Sequence, residues 1–231
     1  MLDFGYYNMD CMEGMKEFPN KYFDLAIVDP PYFEGPNKRK FYGRKTSPIG
    51  VQRIYKEIDN WQIPDTKYFE ELARVSKNQI IWGCNYFYYP FGAGRIVWDK
   101  CNDNSSFSDC EIAYCSIIES VRIFRYMWNG MFQGKSIAEG TIQQGNKKKN
   151  EKRIHPTQKP VALYEWILTK FAKPGDLILD THVGSANSLI ACHNKGHKFV
   201  GFELDEYYYK LSKQRLEEEM SQIRLCDIME V

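Results

Sequence analysis

The chain has 231 residues, with 31 Lys and Arg against 30 Asp and Glu, so its net charge of +1 excludes a uniformly basic nucleic-acid coat. Hydrophobic residues make up 43%, enough for one sizeable core, yet no apolar run reaches the length of a membrane span. Met1-Leu2-Asp3-Phe4 lacks the basic-then-apolar order of an export signal, and a soluble cytoplasmic protein is expected. The seven cysteines (Cys11, Cys84, Cys101, Cys110, Cys115, Cys192, Cys226) contain no Cys-x-x-Cys, and the four histidines do not join them at ligand spacing. Reduced, mostly buried thiols and no metal site are predicted.

In chain order, Tyr6 to Asn8 reads as a short strand ending at Asp10-Cys11. Met12 to Phe18 reads as a short helix with Met12, Met15 and Phe18 on one face. Tyr22 to Val28 is an apolar run of the kind found in a strand buried on both faces. It stops at Asp29-Pro30-Pro31-Tyr32. Two prolines fix φ and donate nothing, so they form a stiff extended rim of acceptors between a carboxylate and an aromatic plate. Such a row suits a flat base whose amino group donates hydrogen bonds. A long segment without periodicity follows, over 33–63, and is read as functional or mobile.

Pro64-Asp65 opens a helix to Val75, and Gln79 to Trp82 is a strand ending at Gly83. Arg95 to Trp98 is another strand, and Glu111–Ile118 with Val121–Tyr126 resembles the two arms of a hairpin. Residues 127–154 read as a second long loop. Beyond it, Pro160–Ala172, Asp176–Asp180, Asn187–Asn194, Lys198–Phe202 and Asp205–Met220 alternate helix, strand, helix, strand, helix. The alternation predicts an α/β fold, a mostly parallel sheet with helices on both faces and ligands beyond the carboxyl ends of the strands.

At one such end, Asp180 leads into Thr181-His182-Val183-Gly184-Ser185-Ala186-Asn187, and 23 residues after Asp180 the next strand ends at Glu203-Leu204. An acid there can accept hydrogen bonds from both ribose hydroxyls of a nucleoside cofactor. Gly-x-Gly-x-x-Gly is absent, which disfavours a dinucleotide and favours a cofactor with no phosphates to cradle. Two basic clusters flank these motifs: Lys38, Arg39, Lys40, Arg44 and Lys45, then Lys147, Lys148, Lys149, Lys152 and Arg153. Each is a candidate for binding phosphates.

Asp29-Pro30-Pro31-Tyr32, followed later by His155-Pro156-Thr157-Gln158-Lys159-Pro160, resembles the DNA amino-methyltransferases acting on N6 of adenine or N4 of cytosine. With the catalytic motif first, the order is that of the permuted beta subgroup. The resemblance covers residues 7–32 and 155–209, and more weakly 64–118. It implies a Rossmann-like S-adenosylmethionine-dependent fold with a seven-stranded sheet. It implies catalysis at Asp29, Pro30, Pro31 and Tyr32 on a base flipped from double-stranded DNA. Cofactor contacts are implied at Asp10, Cys11, Asp29, His155, Thr157, Lys159, Asp180, His182, Gly184, Ser185, Ala186, Asn187, Glu203 and Leu204. The family's cofactor loop usually runs Asp-Pro-Phe-x-Gly-Ser-Gly-Thr, so Ala186 stands where a second glycine is usual, and a Cβ disfavours positive φ. Asp29 favours adenine; cytosine N4, an RNA or protein-amide substrate, and a DNA-binding relative without activity stay open. The chain is read as a single methyltransferase domain, 1–231, with 33–63 and 127–154 as target-recognition loops; a homodimer is left open.

Overall fold

The computed structural model describes residues 2–33, 35–39, 42, 54–58, 61–102, 108–129, 132–134 and 150–222. Ten strands are placed: β1 Gly5–Asn8, β2 Phe23–Val28, β3 Ser76–Trp82, β4 Arg95–Asp99, β5 Cys110–Cys115, β6 Val121–Arg125, β7 Met127–Asn129, β8 Phe132–Gly134, β9 Leu177–Asp180 and β10 Lys198–Glu203. Six α-helices accompany them: α1 Cys11–Lys16, α2 Gly35–Arg39, α3 Thr66–Val75, α4 Val161–Phe171, α5 Asn187–Lys195 and α6 Glu206–Met220.

The main sheet has eight strands in the order β1-β10-β9-β2-β3-β5-β4-β6, and β7 pairs with β8 apart from it. Every strand of the main sheet runs the same way except β5, which lies antiparallel between β3 and β4. The α/β fold is as expected, with one strand more than the seven anticipated. The extra edge strand is β6, and it also corrects the hairpin reading. β5 and β6 do not pair; β4 lies between them, antiparallel to β5 and parallel to β6.

Gly94 makes that crossing possible. The chain leaving β5 passes over the start of β4, where the Cys115 amide donates to the Gly94 carbonyl at 3.1 Å and the Arg95 amide to the Ser120 carbonyl at 3.1 Å. A Cβ on Gly94 would lie 2.0 Å from the Ile118 carbonyl oxygen and 2.2 Å from that of Cys115, and both are backbone atoms that cannot swing away.

Alternation along β2 decides what covers each face. Leu25 and Ile27 pack with Leu163, Ile167 and Leu168 of α4 and with Ala191 and Cys192 of α5. Ala26 and Val28 pack with Met15 of α1 and with Phe69, Leu72 and Val75 of α3, and Phe23, at the first position of the strand, departs from the alternation to join them. Burial on both faces explains the near-continuous apolar run. Helix starts are set by carboxylate caps: Asp65 accepts from the Lys67 and Tyr68 amides, and Asp205 from those of Tyr207 and Tyr208. Asp65 is therefore the cap of α3, and Pro64 precedes the helix instead of opening it. The six described cysteines are free; Cys84, Cys115 and Cys192 are buried and Cys11, Cys101 and Cys110 half-buried. No helix among the described residues is long and apolar enough to cross a membrane.

Gly94→Ala should cost more than about 3 kcal/mol or prevent folding. Gly92→Ala, whose Cβ would meet Tyr114 at an ordinary 3.6 Å, should stay within about 0.5 kcal/mol of the parent. Urea unfolding of the two variants checks this, and equal stability would contradict the crossing.

Candidate active site

The parallel strands end along one edge, and a cleft of about 470 Å³ opens there. β1 delivers Asp10 and Cys11, β2 delivers Asp29 and Pro31, and β10 delivers Glu203, Leu204 and Asp205. The turn after β9 adds His182, Gly184 and Ser185, and the segment before α4 adds His155, Thr157, Gln158 and Lys159. Ile58, Trp61, Gln62 and Ile63 close the opposite wall. The Trp61 indole donates to the Phe33 carbonyl at 3.1 Å, which ties that wall to the chain just past Tyr32.

Asp29 is bound by a buried cation. The Lys159 ammonium, 2% exposed, lies 2.5 Å from Asp29 Oδ2 and 3.0 Å from Glu111 Oε2. Glu111 also pairs with Lys100 and accepts from the Tyr32 hydroxyl at 3.1 Å. Lys159 sits 5.6 Å from the centre of the Tyr32 ring and 5.5 Å from that of Trp82, within cation–π range of both. Asp29 Oδ1 is buried with no hydrogen-bond partner. Burial raises the Asp29 pKa above the usual carboxylate range, against the pull of Lys159 and with a push from Glu111. Burial also works against the charge of Glu111, yet Lys159 and Lys100 hold its pKa down to about 2.

Tyr32 is wedged in place. A Cβ on Gly83 would come within 2.2 Å of its ring, so only glycine lets the ring lie there. Tyr86, half exposed, stacks on Tyr32 with centroids 5.0 Å apart and planes 12° from parallel. Pro30 is buried.

Glu203 ends β10 with one oxygen accepting from the Gly184 amide at 2.8 Å and the other from the Asp205 amide at 2.9 Å. A carboxylate has about four acceptor directions, so each oxygen keeps capacity for a further donor. His155 bonds Thr157 Oγ1 at 3.1 Å through Nδ1 and meets the edge of Tyr208. His182 bonds Thr181 Oγ1 at 2.9 Å and meets Tyr68 edge-on. Burial lowers both histidines to about 4, which leaves them neutral at pH 7.

Three of the expected cofactor residues lie behind the wall instead of on it. Asp180 is buried, accepting from Ser188 Oγ and from the His182 amide, and burial lifts it to about 7. Ala186 is fully buried and takes φ 63°, keeping the left-handed turn despite its Cβ. Asn187 donates to the Lys159 carbonyl and to Glu151. These three shape the turn and fasten the segment that carries Lys159.

Glu111, Glu151 and Gln158 join the site without having been expected there. Glu151 accepts from Gln158 Nε2 at 2.9 Å, Arg215 Nη2 at 3.0 Å and the Val161 amide at 3.0 Å, besides Asn187. Gln158 Oε1 in turn accepts the Ile154 amide at 2.8 Å. Of the basic candidates, Lys38 is exposed on α2, Arg39 continues that helix, and Lys152 is exposed. Arg153 lies 4.2 Å over the Trp128 ring. Lys40, Arg44, Lys45, Lys147, Lys148 and Lys149 lie outside the described residues. No His, Cys, Asp and Glu cluster among the described residues has the makings of a metal site.

A family model for DNA methylases of the N6/N4 class matches residues 97–214, just over half the chain. The chain belongs to the N6/N4 DNA methylase family. The methylase is 24% identical to the type II methyltransferase M.HinfI of Haemophilus influenzae, over 90% of this chain and 67% of that one. Its fold matches the M1.HpyAVI–SAM complex with a TM-score of 0.55 at 22% identity, over 91% of this chain and 98% of the other. It matches the PvuII methyltransferase, cytosine-N4-specific, with a TM-score of 0.54 at 13% identity, over 94% and 90% of the two chains.

The methyl donor of this family is S-adenosylmethionine, and the cleft of the methylase suits it. Five carboxylates (Asp10, Asp29, Asp65, Glu203, Asp205) line it against two ammonium groups (Lys67, Lys159). That balance favours a sulfonium cation over a pyrophosphate.

The neutral histidines set a pH dependence. Ordinary His pKa is 6.5 and the native His182 value is about 4. Between them the unfolded chain binds more protons, so stability falls as pH drops through that window, on the order of 1–3 kcal/mol for this residue. Asp180, raised from 3.8 to about 7, works the other way, losing stability as pH rises through the same range. His182→Gln should therefore flatten the acid side of the melting temperature against pH. An acid side as steep as the parent's would contradict the buried neutral imidazole.

Proposed function

We propose that this methylase transfers a methyl group from S-adenosylmethionine to N6 of adenine in double-stranded DNA, on a base turned out of the duplex. The observation that carries the reading is Asp29 Oδ1, a buried acceptor with no partner, on a cleft wall shared with Pro31. S-adenosylmethionine supplies an electrophilic methyl when bound. Glu203 would accept from the ribose, with Asp10, Cys11 and Leu204 beside the adenosine and His155 and Thr157 near the methionine end. The neutral imidazoles of His155 and His182 add no positive charge to a site that must hold a cation.

An exocyclic amine is a poor nucleophile because its lone pair is delocalised into the ring. Hydrogen bonds from its two N–H groups to Asp29 Oδ1 and the Pro30 carbonyl would favour a pyramidal nitrogen and stabilise charge as it develops. Asp29 would also take the proton that the methylated nitrogen releases. The base would stack on the Tyr32 ring in the place of Tyr86. Most of the acceleration would come from positioning. The resemblance gave Lys159 to the cofactor; its bonds to Asp29 and Glu111 support a role beside the base as well.

Residues 1–231 are read as one methyltransferase domain, with 33–63 and 127–154 as the segments that carry target recognition and with Lys38, Arg39, Lys40, Arg44, Lys45, Lys147, Lys148, Lys149, Lys152 and Arg153 on DNA phosphates. Asp29 at the head of the motif favours adenine. The second reading is cytosine N4, favoured by the likeness to the cytosine-N4-specific PvuII enzyme. A DNA-binding relative without activity fits less well, since Asp29 and Glu203 both line the cleft.

Mass spectrometry of nucleosides from bacterial DNA incubated with the protein and S-adenosylmethionine should show N6-methyladenine. N4-methylcytosine would overturn the base assignment and leave the chemistry standing. Asp29→Ala should bind duplex DNA and transfer methyl groups at least about a hundredfold more slowly; near-parental turnover would overturn the mechanism.

A further inference from the structure

Glu111 has no part in the reaction as derived, yet a single ammonium joins it to Asp29. Lys159 reaches both carboxylates, Asp29 at 2.5 Å and Glu111 at 3.0 Å, and is sealed from solvent. Glu111 is anchored from its far side by Lys100 and the Tyr32 hydroxyl. It arrives there because β5 runs antiparallel, so the start of β5 lies at the carboxyl edge of the other strands, with Glu111 opposite Trp98 of β4.

An ammonium resting on one oxygen of a carboxylate weakens the other oxygen as an acceptor, because the charge is shared by the whole group. The same cation opposes positive charge growing on an amine drawn to Asp29. With a single carboxylate in reach Lys159 would settle fully on it; with two, its charge is divided.

We propose that Glu111 is a positioning residue for methyl transfer: by sharing the Lys159 ammonium it keeps Asp29 a strong acceptor for the amino group of the target base. The inference rests on the reading of Asp29 as that acceptor. Glu111, with a pKa of about 2, stays charged wherever Asp29 is charged, so the sharing holds across the working range. The charged and titratable groups facing Asp29 are Lys159 ahead of α4, Glu111 of β5, Lys100 beyond β4, Asp180 of β9, and the phenols of Tyr32, Tyr68 and Tyr164.

The test is single-turnover transfer of labelled methyl from S-adenosylmethionine to unmethylated bacterial DNA, as a function of pH, by the full chain. Glu111→Gln should slow transfer about tenfold while calorimetric cofactor affinity stays within about threefold. Its acid limb should move down by about one pH unit, because Asp29 loses a like-charged neighbour and holds Lys159 alone. Lys100→Met should move the limb up, since it removes a cation and lets Glu111 draw Lys159 harder. A purely structural Glu111 would slow transfer without moving either limb. Glu111→Gln at the parental rate, or slower with its limb unmoved, overturns the proposal; if that variant does not fold, an unmoved limb in Lys100→Met overturns it. An active Asp29→Ala removes the acceptor reading and this inference together, whereas an inert Asp29→Ala beside a parental Glu111→Gln removes this inference alone.

Discussion

A carboxylate at the end of a strand buried on both faces stays charged only if a cation comes to it, and Lys159 comes to Asp29. The two residues are 130 positions apart in sequence, so the chain must bring the segment before α4 onto the end of β2. Glu151 does much of this, gathering Gln158, Asn187, Arg215 and the first amide of α4 around one carboxylate. The same knot bonds Arg215 to the Ser185 carbonyl at 2.8 Å, so the turn after β9 and the Lys159 segment are held as one piece. Each of these polar groups is worth little by itself, but removing one would leave its buried neighbours unpaired.

The parallel sheet supplies the other half. Strands that share a direction end on a common edge, and that edge collects Asp10, Asp29 and Glu203 from β1, β2 and β10. The single antiparallel strand then sends its first residues to the same edge, which brings Glu111 to Lys159. Lys100 reaches it from the end of the neighbouring β4. The result is an alternating row of Asp29, Lys159, Glu111 and Lys100, neutral in sum and bordered by the rings of Tyr32, Trp82 and Trp98.

Much of this was legible in the residues. The apolar run of β2, its stop at Asp29-Pro30-Pro31-Tyr32 and the alternating helices and strands of the last third gave the sheet and its edge, because periodicity and proline act locally. Strand order at the other end was not legible. The five-residue link Ser116–Ser120 looks like a hairpin turn, and the carbonyls packed on Gly94 reveal a crossing over β4. Pairing β5 with β6 hid Glu111, since its partner across the ladder is Trp98. Ala186 went the opposite way: its sequence argued against a left-handed turn, and burial among Tyr6, Val183, Leu189 and Ile190 holds it in one. Most of the basic residues assigned to DNA fall outside the described residues, so their part in the interface rests on the sequence.

As proposed, the cleft at the strand ends holds the methyl donor through Glu203, the carboxylate that closes β10. Calorimetric titration of S-adenosylmethionine into the parent protein and Glu203→Ala tests it directly. The parent should bind at one site per chain and the variant should lose about 1.5–3 kcal/mol, the worth of hydrogen bonds to a charged acceptor. Equal affinity in the two proteins would contradict it.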